Sequence, residues 1–141
     1  MKPLRLVAVS FAIFLSSVVV SFADATRTKA AKPEHISYGK EVKITDYLVP
    51  GKTTVFDFTS QYCPPCRAVA PLLEKLHETR ADVAVVKVDI NRPEIKGIDW
   101  DSPVARQYRL ESVPNFKVYG PDGKLVAEGK PASKLVYSWL Q

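Results

Sequence analysis

The chain has 141 residues, of which 46% are hydrophobic and 25% are charged, and this is enough apolar material for one compact domain. Its formal net charge is +5. The basic residues are scattered and often lie beside acids, which argues against a nucleic-acid-binding patch.

The N-terminal segment has the pattern of a secretory signal peptide. Lys2 and Arg5 form a basic start, an apolar stretch with scattered serines follows, and Ser21-Phe22-Ala23 is a small-x-small cleavage pattern. An uncleaved membrane anchor is the alternative, because residues 6–23 give 18 residues, the lower edge of a membrane span. We predict that residues 1–23 direct export and are then removed.

The rest of the chain predicts a polar linker at 24–37 and one domain of alternating strands and helices at 38–141. Strands are indicated by β-branched and aromatic runs, and helices by apolar residues that recur every three to four positions. The predicted elements, in chain order, are a strand at 41–44, a helical turn at 45–48, a strand at 52–59, a helix at 64–80, a strand at 83–89, a helix at 102–108, strands at 115–119 and 124–128, and a helix at 133–140. The strand–helix–strand segment requires parallel strands, and the final hairpin makes the sheet mixed. We therefore predict an α/β fold with a mixed central sheet flanked by helices on both faces.

The only two cysteines, Cys63 and Cys66, lie between a predicted strand and a predicted helix. A helix N-terminus supplies unpaired N–H groups and partial positive charge, which favour the reactive thiolate. Pro64 and Pro65 fit the first helical turn and hold the sulfurs at a spacing that can close a disulfide. Because so short a loop stabilises a fold little, we interpret the pair as redox-active, with an exposed, attacking Cys63 and a buried, resolving Cys66.

Metal binding is the alternative use of the cysteines. Zinc requires four protein ligands, or three and a water, and the chain adds only His35 and His77. His77 lies about three helical turns beyond Cys66, too far to complete a site with it. We predict no metal site, although a copper-chaperone module with two thiolate ligands stays open by ligand count.

Asp57 is the acid within the apolar strand that precedes the cysteines. An unpaired buried carboxylate is costly, so a buried Asp57 is either protonated or paired at neutral pH. A buried acid below Cys66 could take the proton of Cys66 as it attacks and return it on reduction. Strict alternation along the strand instead places Asp57 on a solvated face of the sheet. The local pattern leaves both placements open.

From about Tyr38 to the C-terminus the chain resembles the thioredoxin family. Five features in chain order carry this resemblance: the strand acid Asp57, the Cys-Pro-Pro-Cys motif followed by Arg67, the helix proline Pro71, Lys87 near the buried acid, and the dipeptide Val113-Pro114. The resemblance implies a thioredoxin-like fold and thiol–disulfide exchange that needs no cofactor.

The resemblance also implies roles for residues around the cysteines. Asp57 would be the buried acid beneath Cys66, and Lys87 would be the partner that adjusts the pKa of Asp57. Pro114 would form a cis peptide bond that faces the cysteines and frees the Val113 backbone to pair with a substrate. The alternatives are that Lys87 is an ordinary exposed strand lysine and that Pro114 simply starts a strand, where proline is tolerated.

Four residues are predicted to bind substrate: Tyr62, Pro64, Val113 and Trp100. Tyr62 stands where the family usually has tryptophan, and Pro64 stands where thioredoxins proper have glycine. Trp100 belongs to a stretch at 91–101 that is longer than in compact members, and a core position for it is equally consistent with the sequence.

These features predict a periplasmic or otherwise exported bacterial thiol–disulfide oxidoreductase, with a membrane anchor formed by the N-terminal segment as the alternative to its cleavage. We expect a monomer that acts on cysteine-containing exported proteins, with electrons from a membrane donor. Reduction is favoured over oxidation because no histidine separates the cysteines, and a strong oxidant needs a strongly stabilised thiolate. The alternatives are an oxidase that introduces disulfides and a non-catalytic binding module.

Overall fold

The computed structural model describes residues 27–141, so the predictions for residues 1–23 lie outside the described part of the chain. The strands are β1 (Glu34–Ile36), β2 (Thr53–Thr59), β3 (Val83–Asp89), β4 (Asn115–Tyr119) and β5 (Leu125–Glu128), and the helices are α1 (Pro64–Thr79), α2 (Pro103–Gln107) and α3 (Gly129–Trp139), with a 3-10 turn at Ile44–Tyr47. No helix within 27–141 is long and apolar enough to cross a membrane.

The strands form one mixed sheet in the order β1-β3-β2-β4-β5. β1, β3 and β2 are parallel, whereas β4 runs antiparallel to β2 and forms a hairpin with β5. Apolar side chains of α1 and α3, including the fully buried Leu73 and Val136, pack on one face of the sheet. α2 packs on the other face through Val104. The predicted α/β fold, with a mixed sheet and helices on both faces, is confirmed.

The first strand is not where the sequence predicts it. β1 lies inside the stretch predicted as a linker and pairs Ile36 with Val88 of β3. The predicted strand at 41–44 has no ladder partner; there, the backbone N–H of Val42 donates to the side chain of Gln107, and the Tyr108 hydroxyl donates to the Val42 carbonyl. A three-residue edge strand is held by its neighbour across the sheet, and so short a segment carries no readable periodicity.

The other boundaries lie within two residues of their predicted positions, except at the last helix. α3 begins at Gly129, four residues before the predicted start at Ser133. Pro131 lies in the first turn of α3, where its missing N–H has no intrahelical partner to lose.

Candidate active site

The cysteines lie where β2 passes into α1, at the helix N-terminus. Cys63 is the N-cap, and its Sγ accepts the backbone N–H of Cys66 at 3.2 Å. Pro64 and Pro65 occupy the first two helical positions, as predicted. The two cysteines form a disulfide with a Cα–Cα separation of 5.3 Å. The motif therefore fixes both sulfurs on the first turn of the helix.

Cys63 is less accessible than predicted. In the disulfide form Cys63 is 2% exposed and Cys66 is 1% exposed, so the expectation of an exposed first sulfur is wrong for the oxidised protein. The predicted cis peptide bond between Val113 and Pro114 is present, and the Val113 carbonyl oxygen lies 3.5 Å from the Cys63 Sγ. A disulfide sulfur has no proton to donate, so this contact becomes a hydrogen bond only when Cys63 is a thiol.

Asp57 is buried at the centre of β2, with 1% of its surface exposed. Alternation along the strand fails as a guide because helices cover both faces of the sheet, and residues 54–58 are all buried. Within the described part of the chain, neither carboxyl oxygen of Asp57 has a hydrogen-bond partner. Burial raises the pKa of Asp57 to about 7, although the positive charge of Lys87 acts in the opposite direction. Asp57 can therefore both accept and release a proton near neutral pH.

Lys87 lies beside Asp57 on the neighbouring strand, but its ammonium group bonds to another residue. Asp57 and Lys87 are directly paired in the β2–β3 register. The Lys87 Nζ donates to the Glu74 Oε1 of α1 at 2.6 Å, and the Lys87 side chain is only 12% exposed. The predicted influence on Asp57 is thus electrostatic, and the direct bonding partner of Lys87 is Glu74. Helical periodicity does not distinguish Glu74 from Glu78, so the sequence gives no signal for this contact.

A partly open cavity of about 150 Å³ lies beside Cys66. Lys87 and Asp89 of β3 and His35 of β1 line it together with Cys66. Water that enters this cavity meets both the second cysteine and the lysine that is paired in register with Asp57. The cavity therefore brings solvent close to Cys66, although Asp57 is not among the residues that line it.

The remaining predicted site residues lie near the surface. Pro64 is exposed beside Cys63, Tyr62 is 37% exposed, and Trp100 is 41% exposed, which argues against the core position for Trp100. Their role in substrate binding, together with that of Val113, stays a prediction.

A buried hydrogen-bond chain joins the 91–101 loop to the residues before Cys63. The Ser60 hydroxyl donates to the Asn91 Oδ1 at 2.5 Å and accepts the backbone N–H of Tyr62. The Asn91 amide in turn donates to the Gly97 carbonyl at 2.6 Å. The longer loop is thus fastened to the segment that carries the first cysteine.

Both ring nitrogens of His77 are engaged. The Val85 backbone N–H donates to Nδ1 at 3.0 Å, and Nε2 lies 2.8 Å from the Ala30 carbonyl oxygen. This arrangement assigns the ring proton to Nε2, and burial lowers the pKa of His77. Within residues 27–141, no group of three or more His, Cys, Asp and Glu is arranged to hold a metal ion.

Comparison with known proteins places these features in one family. The family model described as Thioredoxin matches residues 37–138. A thioredoxin from Streptomyces clavuligerus is 31% identical over 93 residues, which cover 64% of this chain and 79% of the relative. Thioredoxin H5 from Arabidopsis thaliana is 29% identical over 92 residues, which cover 65% of this chain and 70% of the relative.

A solved structure agrees with the sequence matches. The crystal structure of thioredoxin f from spinach chloroplast, in its short form, has a TM-score of 0.55 and 27% identity, and the match covers 80% of this chain and 95% of that one. The region that the family model matches includes strands β2 to β5, the cysteine pair and the cis proline. The chain belongs to the thioredoxin family of thiol–disulfide oxidoreductases.

Proposed function

We propose that this protein reduces disulfide bonds of cysteine-containing proteins outside the cytoplasm. Two features on either side of the end of β2 carry the proposal: Cys63 caps helix α1, and the buried Asp57 carboxyl group has a pKa of about 7 and no hydrogen-bond partner among residues 27–141. The first group forms a nucleophile, and the second accepts a proton at the pH where exchange takes place.

The reaction has two exchange steps. In the reduced protein, the Cys63 thiolate attacks one sulfur of the substrate disulfide, and the other substrate sulfur leaves as a thiolate and takes up a proton. Cys66 then loses its proton to the Asp57 carboxylate and attacks the Cys63 sulfur of the mixed disulfide. The second substrate thiolate leaves, so two electrons pass to the substrate and the Cys63–Cys66 disulfide forms.

The surroundings of Cys63 favour the reducing direction. Its sulfur accepts one backbone N–H, from Cys66, and the two prolines supply no further donor. No histidine lies between the cysteines to stabilise the thiolate further. The thiolate is therefore stabilised only moderately, and a dithiol that is not strongly stabilised gives up its electrons more readily.

The compartment and the electron donor are proposed from the N-terminal sequence. A basic start, an apolar stretch and the small residues that end at Ala23 support export from a bacterial cell. Exported proteins carry disulfides, so oxidised cysteines are available as substrates there. A donor in the membrane would return electrons to the Cys63–Cys66 disulfide after each cycle. N-terminal sequencing of the exported protein tests this: a mature chain that begins at Asp24 supports the proposal, and an intact N-terminus in the cytoplasmic fraction contradicts it.

Trapping tests the exchange chemistry. The Cys66→Ser variant lacks the resolving thiol, so mixed disulfides between Cys63 and its substrates should accumulate in the exported fraction. Cys63→Ser is the matched control, because it keeps one thiol at the site but removes the attacking one. Accumulation with Cys66→Ser alone supports the assigned roles, and equal or opposite trapping by the two variants refutes them.

A further inference from the structure

Lys87 stands between two carboxyl groups and bonds to only one of them. On the sheet, Lys87 is the register partner of Asp57, so the two side chains rise from adjacent strands on the same face. The ammonium group nevertheless donates to Glu74 of α1 at 2.6 Å. Both oxygens of Asp57 lack a hydrogen-bond partner among the described residues.

We propose that Glu74 is a positioning residue that holds the Lys87 ammonium away from Asp57 and so keeps the Asp57 carboxyl group free to exchange a proton with Cys66. This inference rests on the proposed role of Asp57 as the proton acceptor. It adds a residue outside the cysteine motif that sets the pH range of exchange.

The physical reason lies in the two positions open to the ammonium group. A direct ion pair with Lys87 would stabilise the Asp57 carboxylate and make it a weak base at neutral pH. Glu74 is half-exposed, with 51% of its side chain accessible, and it holds the charge at the margin of the site. From there Lys87 still acts on Asp57 through space, but it donates no hydrogen bond to it.

Other charged and titratable groups face Asp57, Lys87 and Glu74, and none of them is changed in the variants proposed below. They are His35 of β1, Asp89 of β3, Arg67 of α1, Tyr137 of α3 and Lys32 before β1. His35 is in register with Lys87, and burial and the charge of Lys87 lower its pKa.

The test is an NMR titration of the Asp57 side-chain carboxyl carbon in the oxidised protein. Glu74→Gln frees Lys87 to pair with Asp57, and the Asp57 midpoint should fall by about one pH unit. Glu78→Gln removes the same charge one turn further along α1, where the residue is exposed, and should leave the midpoint unchanged. An unchanged midpoint in Glu74→Gln overturns the inference.

A double-mutant comparison separates positioning from simple loss of negative charge. Lys87→Met removes the ammonium group, so Glu74→Gln in that background should lose most of its effect on the Asp57 midpoint. A shift of the same size with and without Lys87 would mean that Glu74 acts by its own charge, and this overturns the inference.

The kinetic readout keeps the two proposals distinguishable. The rate at which Cys66 resolves a mixed disulfide should depend on pH, and Glu74→Gln should move that profile to lower pH together with the Asp57 midpoint. If Asp57→Asn leaves the profile of the wild type intact, the role of Asp57 is refuted and this inference falls with it. If Asp57→Asn abolishes the pH dependence but Glu74→Gln leaves it in place, only the positioning role is refuted.

Discussion

Replacing Asp57 by asparagine should make the protein more stable at alkaline pH, because the buried carboxyl group resists ionisation. In the folded protein the pKa of Asp57 is about 7, whereas the ordinary value is 3.8. Between these two values the folded state holds a proton that the unfolded chain has lost. The free energy of unfolding therefore falls as pH rises through this window, and it levels off above pH 7.

The size of the effect follows from the two pKa values. A difference of about three pH units corresponds to about 4 kcal/mol at high pH, since each unit is worth about 1.4 kcal/mol. Between pH 5 and pH 8, the linkage amounts to about 2–3 kcal/mol. Asparagine does not ionise, so the stability of Asp57→Asn relative to wild type should increase by about that amount over this interval.

Urea unfolding of the oxidised proteins at pH 5, 6, 7 and 8 measures this difference. The comparison across pH cancels any fixed cost of burying an amide in place of a carboxyl group. Glu111→Gln is the matched control, because Glu111 is exposed and the same charge is removed. If the difference between Asp57→Asn and wild type is the same at pH 5 and pH 8, Asp57 titrates as an ordinary acid and its proposed role is wrong.

Three further predictions concern the framework of the site. Leu73→Ala should lower the free energy of unfolding by about 3–5 kcal/mol because Leu73 is fully buried. Leu72 is 44% exposed, so Leu72→Ala should lower it by less than about 1 kcal/mol. Urea unfolding measures both values. Burial lowers the pKa of His77, so protonation favours the unfolded chain and the free energy of unfolding falls as pH decreases below 6.5. Between pH 7 and pH 5, His77→Gln should therefore lose less stability than the wild type. An equal loss in the two proteins would contradict this. Ser60→Ala should cost about 1–3 kcal/mol and speed hydrogen exchange in the loop that follows Asn91, and unchanged exchange there would show that the bond does not fasten the loop.

The elements nearest the cysteines are the ones that local sequence predicts best. β3 is a nearly continuous apolar run, as expected of a central strand covered on both faces, and its bounds agree with the prediction. The start of α1 follows from a capping cysteine and two prolines, all of which act within one turn. Residues close together in the sequence determine both features, so the sequence pattern alone predicts them.

The parts that the sequence does not predict depend on contacts between distant segments. β1 is held by pairing with β3, about fifty residues away, and its three residues offer no period to read. The contact between Lys87 and Glu74 depends on how α1 crosses β3. The sequence leaves the burial of Asp57 open for the same reason, because alternation predicts exposure only when one face of a sheet is open to water.

The reduction potential of the Cys63–Cys66 pair distinguishes a protein that reduces disulfides from one that introduces them. It can be measured by equilibrating the protein with defined ratios of reduced and oxidised glutathione and counting the alkylated thiols by mass. A moderately stabilised Cys63 thiolate predicts a potential nearer to about −270 mV than to about −120 mV. A value above roughly −150 mV would contradict the proposed reducing direction, because the protein would then donate its disulfide and act as an oxidase.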